Sequence, residues 1–277
     1  MAADVREDAA ETSMNQFETA AEEWNNVAEI TLSTSDTPGH GHSATSGQCQ
    51  VSPLVTMADV THYLNTKPDM VQYLHQVKTS SSTNRRGVRS LLCCLLSPPS
   101  LPPHLRTTAR QVQATALIPF CNDDPVHLGM LHTIYRQLTC TTLNCPRYGS
   151  HWEQIGFQGT DPSTDLRGVG VLGLVHVIYL VTTPEMLPFC RDVYQLSRVE
   201  GHEFPFLVLS LNITRITLHV LRDGLLNKHI KLEDDVWATF NFYYACLMYH
   251  VYITWKSKRL TIRDCGDLLK QTETTAR

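Results

Sequence analysis

Trp152-Glu153-Gln154-Ile155-Gly156-Phe157-Gln158-Gly159-Thr160-Asp161-Pro162-Ser163-Thr164-Asp165-Leu166-Arg167-Gly168-Val169-Gly170 is the stretch that sets the reading of this chain. Glycines, an Asp-Pro step, two aspartates and one guanidinium lie between apolar elements, the composition of a tightly turned loop with a defined backbone path. Such loops commonly carry function. Gly168 and Gly170 allow unusual backbone angles and close approach of another surface beside Arg167, and the apolar helix that follows holds the loop rigid. Asp161 and Asp165 are near enough in sequence to accept hydrogen bonds from the Arg167 guanidinium or from loop amides. On residue types alone, an arginine beside two aspartates on a glycine loop is more often a structural ion-pair clamp than a catalytic group. Gln158 has the same plain reading, a side chain bonded to loop carbonyls.

Outward from the loop the signals are helical. Residues 104–117, 125–138, 170–181, 184–197, 205–227 and 232–258 carry apolar side chains at helical spacing or as continuous runs. Pro125 suits a first helical turn after Asp123-Asp124. Leu207, Leu209, Leu211 and Ile213 alternate as a strand would, but the pattern continues through Ile216, Leu218, Leu221 and Leu225 and exceeds ordinary strand length, so helix is expected. Residues 232–258 read as one helix with Glu233, Asp234 and Asp235 in its first turn, Lys256, Lys258 and Arg259 near its last, and aromatics that are mostly core. The expected fold class is all-α, a multi-helix domain packed as a bundle with a long, largely disordered N-terminal region.

Three segments are expected. Residues 1–56 form an acidic, disordered tail, in which Phe17, Ala21, Trp24 and Ala28 recur near helical spacing and would make a short amphipathic helix (about 17–28) when a docking partner covers its apolar side. Residues 57–103 hold two short helical patterns split at Lys67-Pro68, then a Ser/Thr run and a proline-rich spacer. Residues 104–277 are the folded domain, with its core at about 119–258.

Composition removes several functions. A formal charge of −4 in 277 residues, with no basic run beyond Arg85-Arg86, gives no electrostatic basis for a nucleic-acid partner. Nine scattered cysteines suit a reducing compartment rather than a disulfide framework. Cys140 and Cys145 lack a second pair at zinc spacing, and His40 and His42 lack further ligands, so no metal site is expected. Cys93-Cys94 is read as buried, with palmitoylation the alternative. The sequon at Asn212 falls inside an apolar element and is not expected to be glycosylated. Residues 169–181 are short for a bilayer, and 204–221 contain Asn212, Arg215 and His219, so no transmembrane segment is expected. The acidic start resembles no secretory signal. A cytoplasmic address follows, with cytoskeletal association or peripheral recruitment to membranes left open.

The loop resembles the signature of the ELMO-domain family: Trp152, Gly156-Phe157-Gln158, Pro162, Thr164-Asp165, Arg167, Gly170, Gly173-Leu174 and Tyr179 match at the family's spacing. Leu166, Val177 and Leu180 depart from it by apolar-for-apolar changes, which bear on packing. The resemblance spans about residues 119–258 and implies an all-helical domain that activates GTP hydrolysis on Arf or Arf-like small GTPases. Arg167 falls on the family's motif arginine, supplied in trans. It also implies that Trp152, Gly156, Phe157, Gln158, Pro162, Thr164, Asp165 and Gly170 are motif positions, and with Asp161 and Gly168, read from the loop itself, they are expected to shape and orient it. No cofactor of its own is expected, because GTP and Mg²⁺ belong to the partner, and the chain would be a GTPase activator rather than an enzyme with its own substrate site. The alternative is a non-catalytic adaptor within small-GTPase regulatory complexes.

Overall fold

The computed structural model describes residues 52–82 and 99–277, with side chains described outside 78–82. The tail pattern around Trp24, His40, His42, Cys93 and Cys94 lies outside the described residues. Among those described, every regular element is helical. No single helix among them is long and apolar enough to cross a membrane.

Helix α1 (Met57–Thr66) opens on a reciprocal cap: the Asp59 amide donates to the Thr56 hydroxyl, and the Thr56 amide donates to the Asp59 carboxylate. The chain turns extended at Lys67, ahead of Pro68, and resumes as α2 (Met70–Ser82). Val60, Leu64, Met70 and Val77 from this pair join the same buried cluster as the rest of the core. The Val55 amide donates to Thr133 Oγ1 at 2.9 Å, and Arg136 donates to the Ser52 carbonyl at 2.6 Å. The segment read as short helices ahead of the domain is thus packed on it.

Helices α3 (Pro103–Thr115) and α4 (Pro125–Thr139) follow, α4 with Pro125 in its first turn and the Asp124 carboxylate capping the Val126 amide. After a single turn, α5 (His151–Gln154), and a 3-10 helix (Pro162–Gly168), the chain enters α6 (Val171–Thr182). Ten of the twelve residues of α6 are buried, so it has no polar face to offer solvent and serves as the centre of the bundle. Helices α7 (Leu187–Leu196) and α8 (Phe206–Arg222) pack around it. Leu207, Leu209, Leu211 and Ile213 are all buried, which explains their alternation: α8 is enclosed on several sides, so burial does not follow a single stripe.

His176 ties three helices together. Its Nδ1 lies 2.9 Å from Thr214 Oγ1 of α8, and its ring stacks at 4.0 Å on Tyr244, whose hydroxyl meets Ser210 Oγ. Burial pushes the imidazole down to about 3, so it is neutral.

The reading of 232–258 as one helix is corrected. Helix α9 (Asn227–Glu233) stops at Asp234, which adopts φ 52°, and α10 (Val236–Lys258) starts anew with the Asp235 carboxylate accepting from the Ala238 amide. Of the three acids only Asp235 caps α10; the others precede it. Of the eight aromatics of α10, Phe240, Tyr244 and Trp255 are buried and Trp237, Tyr243 and Tyr252 pack half-buried against the core, whereas Phe242 and Tyr249 are exposed. Helix α11 (Cys265–Thr275) closes the chain against α10 and α8, burying Leu268 and Thr272.

Candidate functional site

The loop between α5 and α6 is fastened at both ends by backbone contacts. At its start, Trp152 is fully buried, donates from Nε1 to the Arg147 carbonyl at 3.0 Å, and meets Tyr135 and Phe157 edge to face. Gly156 then takes φ +92° against the first turn of α8; a Cβ there would sit 2.2 Å from the Phe206 amide nitrogen. The carbonyls of Ile155 and Gly156 accept from the Leu207 and Val208 amides at 3.3 and 3.1 Å. Loop backbone thus satisfies donors that open α8, where no side chain caps the helix.

At its end, Gly170 has φ +54°, and a Cβ would lie 2.5 Å from the Ile118 carbonyl oxygen. That oxygen accepts from the Val171 amide at 2.9 Å and so begins α6. Pro162 and Leu166 are buried beneath the 3-10 helix, which leaves Thr164, Arg167 and Gly168 on the outside, with Gln158 also exposed.

The two aspartates serve the loop rather than the arginine, which corrects one of the two arrangements expected from sequence. Asp161 caps the 3-10 helix by accepting from the Ser163 amide at 2.9 Å and takes the Ser163 hydroxyl at 2.8 Å. Its cationic partner is Arg147, which donates from Nη2 to Oδ1 at 2.8 Å. Partial burial would raise the Asp161 carboxyl, but these bonds outweigh it and hold the group below its ordinary range. Asp165 accepts from the Gln158 amide at 2.7 Å. Burial is the larger influence there and pushes its carboxyl up, opposed by the Gln158 amide and by the charge of Arg167.

Arg167 itself is exposed, and among the described residues no hydrogen bond or ion pair within 4 Å holds its guanidinium. Its charge is felt at Asp165 without a direct bond. Gly168 has open space where a Cβ would be and does not take a positive φ, so its conformational freedom is not used, although its bare surface remains. Gln158 contributes its amide to the loop; its exposed side chain is not tied to loop carbonyls in any described bond.

Arg147 is the site residue that sequence reasoning missed. Besides Asp161 it bonds Asn122 at 2.6 Å and lies between the faces of Phe120 and Tyr148, 4.8 and 4.5 Å from their centroids. Its partners are spread from Phe120 to Asp161, so no local spacing signals the cluster. Among the described residues no three His, Cys, Asp or Glu side chains are grouped to hold a metal ion. Cys145 is half-buried, which pushes its thiol up to about 11, and Cys140 ends α4 with φ 57°.

The chain belongs to the ELMO/CED-12 family, whose model matches residues 110–269, a range that includes the whole loop. The chain is similar to ELMO domain-containing protein 3 of Homo sapiens, at 34% identity over 258 residues, covering 93% of this chain and 65% of that one. The corresponding Mus musculus protein is 36% identical over 193 residues, 70% of this chain and 51% of its own length. ELMO domain-containing protein 1 of Homo sapiens is 29% identical over 160 residues, 48% of each. The chain therefore spans less than two thirds of the length of these relatives. No solved structure matches it.

Proposed function

We propose that this chain accelerates GTP hydrolysis on an Arf-like small GTPase by presenting Arg167 to the phosphates of the bound nucleotide. The observation that carries the reading is the contrast between the two loop-associated arginines: Arg147 is bonded to Asp161 and Asn122, while Arg167 is exposed and unbonded on a backbone fixed at Gly156 and Gly170. A guanidinium used for structure is consumed by its partners; one kept for an incoming anion is not. In phosphoryl transfer the transition state spreads charge over the γ-phosphoryl oxygens, and an arginine inserted from outside is worth about 10³ to 10⁵ in rate. Guanidinium suits the task because it is planar, permanently charged and able to bridge two oxygens, whereas an ammonium is a hydrated point charge. The partner supplies the nucleotide, Mg²⁺ and the positioned water. The exposed Gln158, Thr164 and the bare surface of Gly168 would lie against it.

The deciding experiment is single-turnover phosphate release from a panel of GTP-loaded Arf-like GTPases, with wild type, Arg167→Ala and Arg167→Lys. Stimulation by wild type that disappears in both variants, with helicity unchanged, supports the finger. Stimulation retained in both rejects it. Binding without acceleration across the panel would instead favour an adaptor.

A further inference from the structure

We infer that the outer face of α10 is a self-association surface on which two copies of this chain pack antiparallel. Phe242, Cys246, Tyr249 and Ile253 all face solvent, with Phe242 60%, Tyr249 56% and Ile253 41% exposed. They are spaced four, three and four residues apart, which places them in one row along the helix, about 16 Å from end to end at 1.5 Å per residue. Half-buried Phe189 and Tyr252 widen the row, Phe189 lying 5.9 Å from both Tyr249 and Tyr252 between ring centroids. A contiguous aromatic row is not the usual make-up of a solvent-facing surface and marks a contact site.

The occupant is argued from symmetry and charge. The spacing reads the same in both directions, so reversing a second helix about the point between Leu247 and Met248 sets Phe242 opposite Ile253 and Cys246 opposite Tyr249, each pair occurring twice. This is the pattern of an isologous two-fold contact. The ends agree. Exposed Glu233, Asp234 and Asp235 precede the N-terminus of α10, and exposed Lys256, Lys258 and Arg259 lie at its C-terminus. Antiparallel packing brings the acidic end of one copy to the basic end of the other at both ends and opposes the two helix dipoles. Parallel packing would set like charges together. A face of this size falls near the lower limit of specific interfaces, about 1,000 Å² in total, so a weak, concentration-dependent dimer is expected.

The test is the mass of the full chain by sedimentation equilibrium over a concentration series. Wild type should approach the mass of two chains at high concentration, and Phe242→Arg with Tyr249→Asp should remain at one, with unchanged circular dichroism because both sites are exposed. A charge exchange then tests the antiparallel geometry. Glu233→Lys with Asp234→Lys makes both ends basic, and Lys256→Glu with Lys258→Glu makes both ends acidic. Each variant alone should lose the dimer, and an equimolar mixture should regain it. Wild type that stays at one chain mass throughout overturns the inference, as does a dimer that survives the stripe substitutions or charge variants that fail to complement on mixing.

Discussion

Arg147 reaches fourteen residues along the chain to Asp161, donating from Nη2 to Oδ1 at 2.8 Å, and this ion pair holds the start of the 3-10 helix that carries Arg167. The pair is mostly sheltered, with side-chain exposures of 15% and 31%. Removing one member leaves the other without its counter-charge. Arg147→Ala is expected to cost about 1–3 kcal/mol of stability. It should also reduce stimulation of a GTPase although Arg167 is intact. Arg147→Lys should recover little, because an ammonium cannot bond Asn122 and Asp161 as the fork does. Urea denaturation and single-turnover hydrolysis on the same preparations check this.

Arg167→Ala should behave in the opposite way. Exposed and unbonded, the side chain adds little to the fold, so the unfolding free energy should change by no more than about 0.5 kcal/mol. Stimulated hydrolysis should fall by about 10³ or more. A large loss of stability in this variant would show that the guanidinium has a structural partner after all.

The glycines of the loop should divide sharply. Gly156→Ala drives a methyl group to within 2.2 Å of the Phe206 nitrogen at a positive φ, and a loss of about 3 kcal/mol is expected. Gly168→Ala meets nothing within 4 Å and should change stability by less than about 0.5 kcal/mol. If the partner approaches the loop closely there, the same silent substitution should still lower stimulation. Thermal melts beside hydrolysis rates separate the two effects.

Stability should also fall with acid over a defined window. His127 is buried; its Nδ1 accepts from the Cys121 amide at 3.0 Å, so its Nε2 carries the proton toward the Tyr63 hydroxyl at 2.9 Å, and that hydroxyl donates to Asp124 at 2.6 Å. Burial depresses the imidazole to about 4, below its ordinary 6.5. The unfolded chain therefore binds this proton first. The contribution is full above about 6.5 and is lost as pH falls toward about 4, by up to about 1.4 kcal/mol per pH unit. Denaturation between pH 7 and 5, above the carboxylate range, should show a shallower slope in His127→Gln than in wild type.

Much of the helical architecture can be read along the chain because its cause is local. The apolar run of α6, Pro125 at the start of α4 and the break at Lys67-Pro68 all act through neighbouring residues. The break between α9 and α10 is hidden because apolar spacing continues across it; the left-handed backbone of Asp234 and the Asp235 cap reveal two helices. The exposure of Phe242 and Tyr249 is hidden for a related reason: residue type shows what can be buried, and packing decides what is. In the loop, the turn-forming glycines and the apolar supports are legible. The partner of Asp161 is not, because Arg147 comes to it through tertiary folding.

The carbonyls of Ile155 and Gly156 accept from the Leu207 and Val208 amides in the first turn of α8. Lifting the loop away would strand those amides in an interior site, and lifting Gly170 would do the same to the Val171 amide at the head of α6. The two ends of the loop are therefore expected to open together with the helices whose first amides they satisfy, rather than separately. On the proposed reading, a partner GTPase would meet a surface whose ordering entropy was spent when the chain folded.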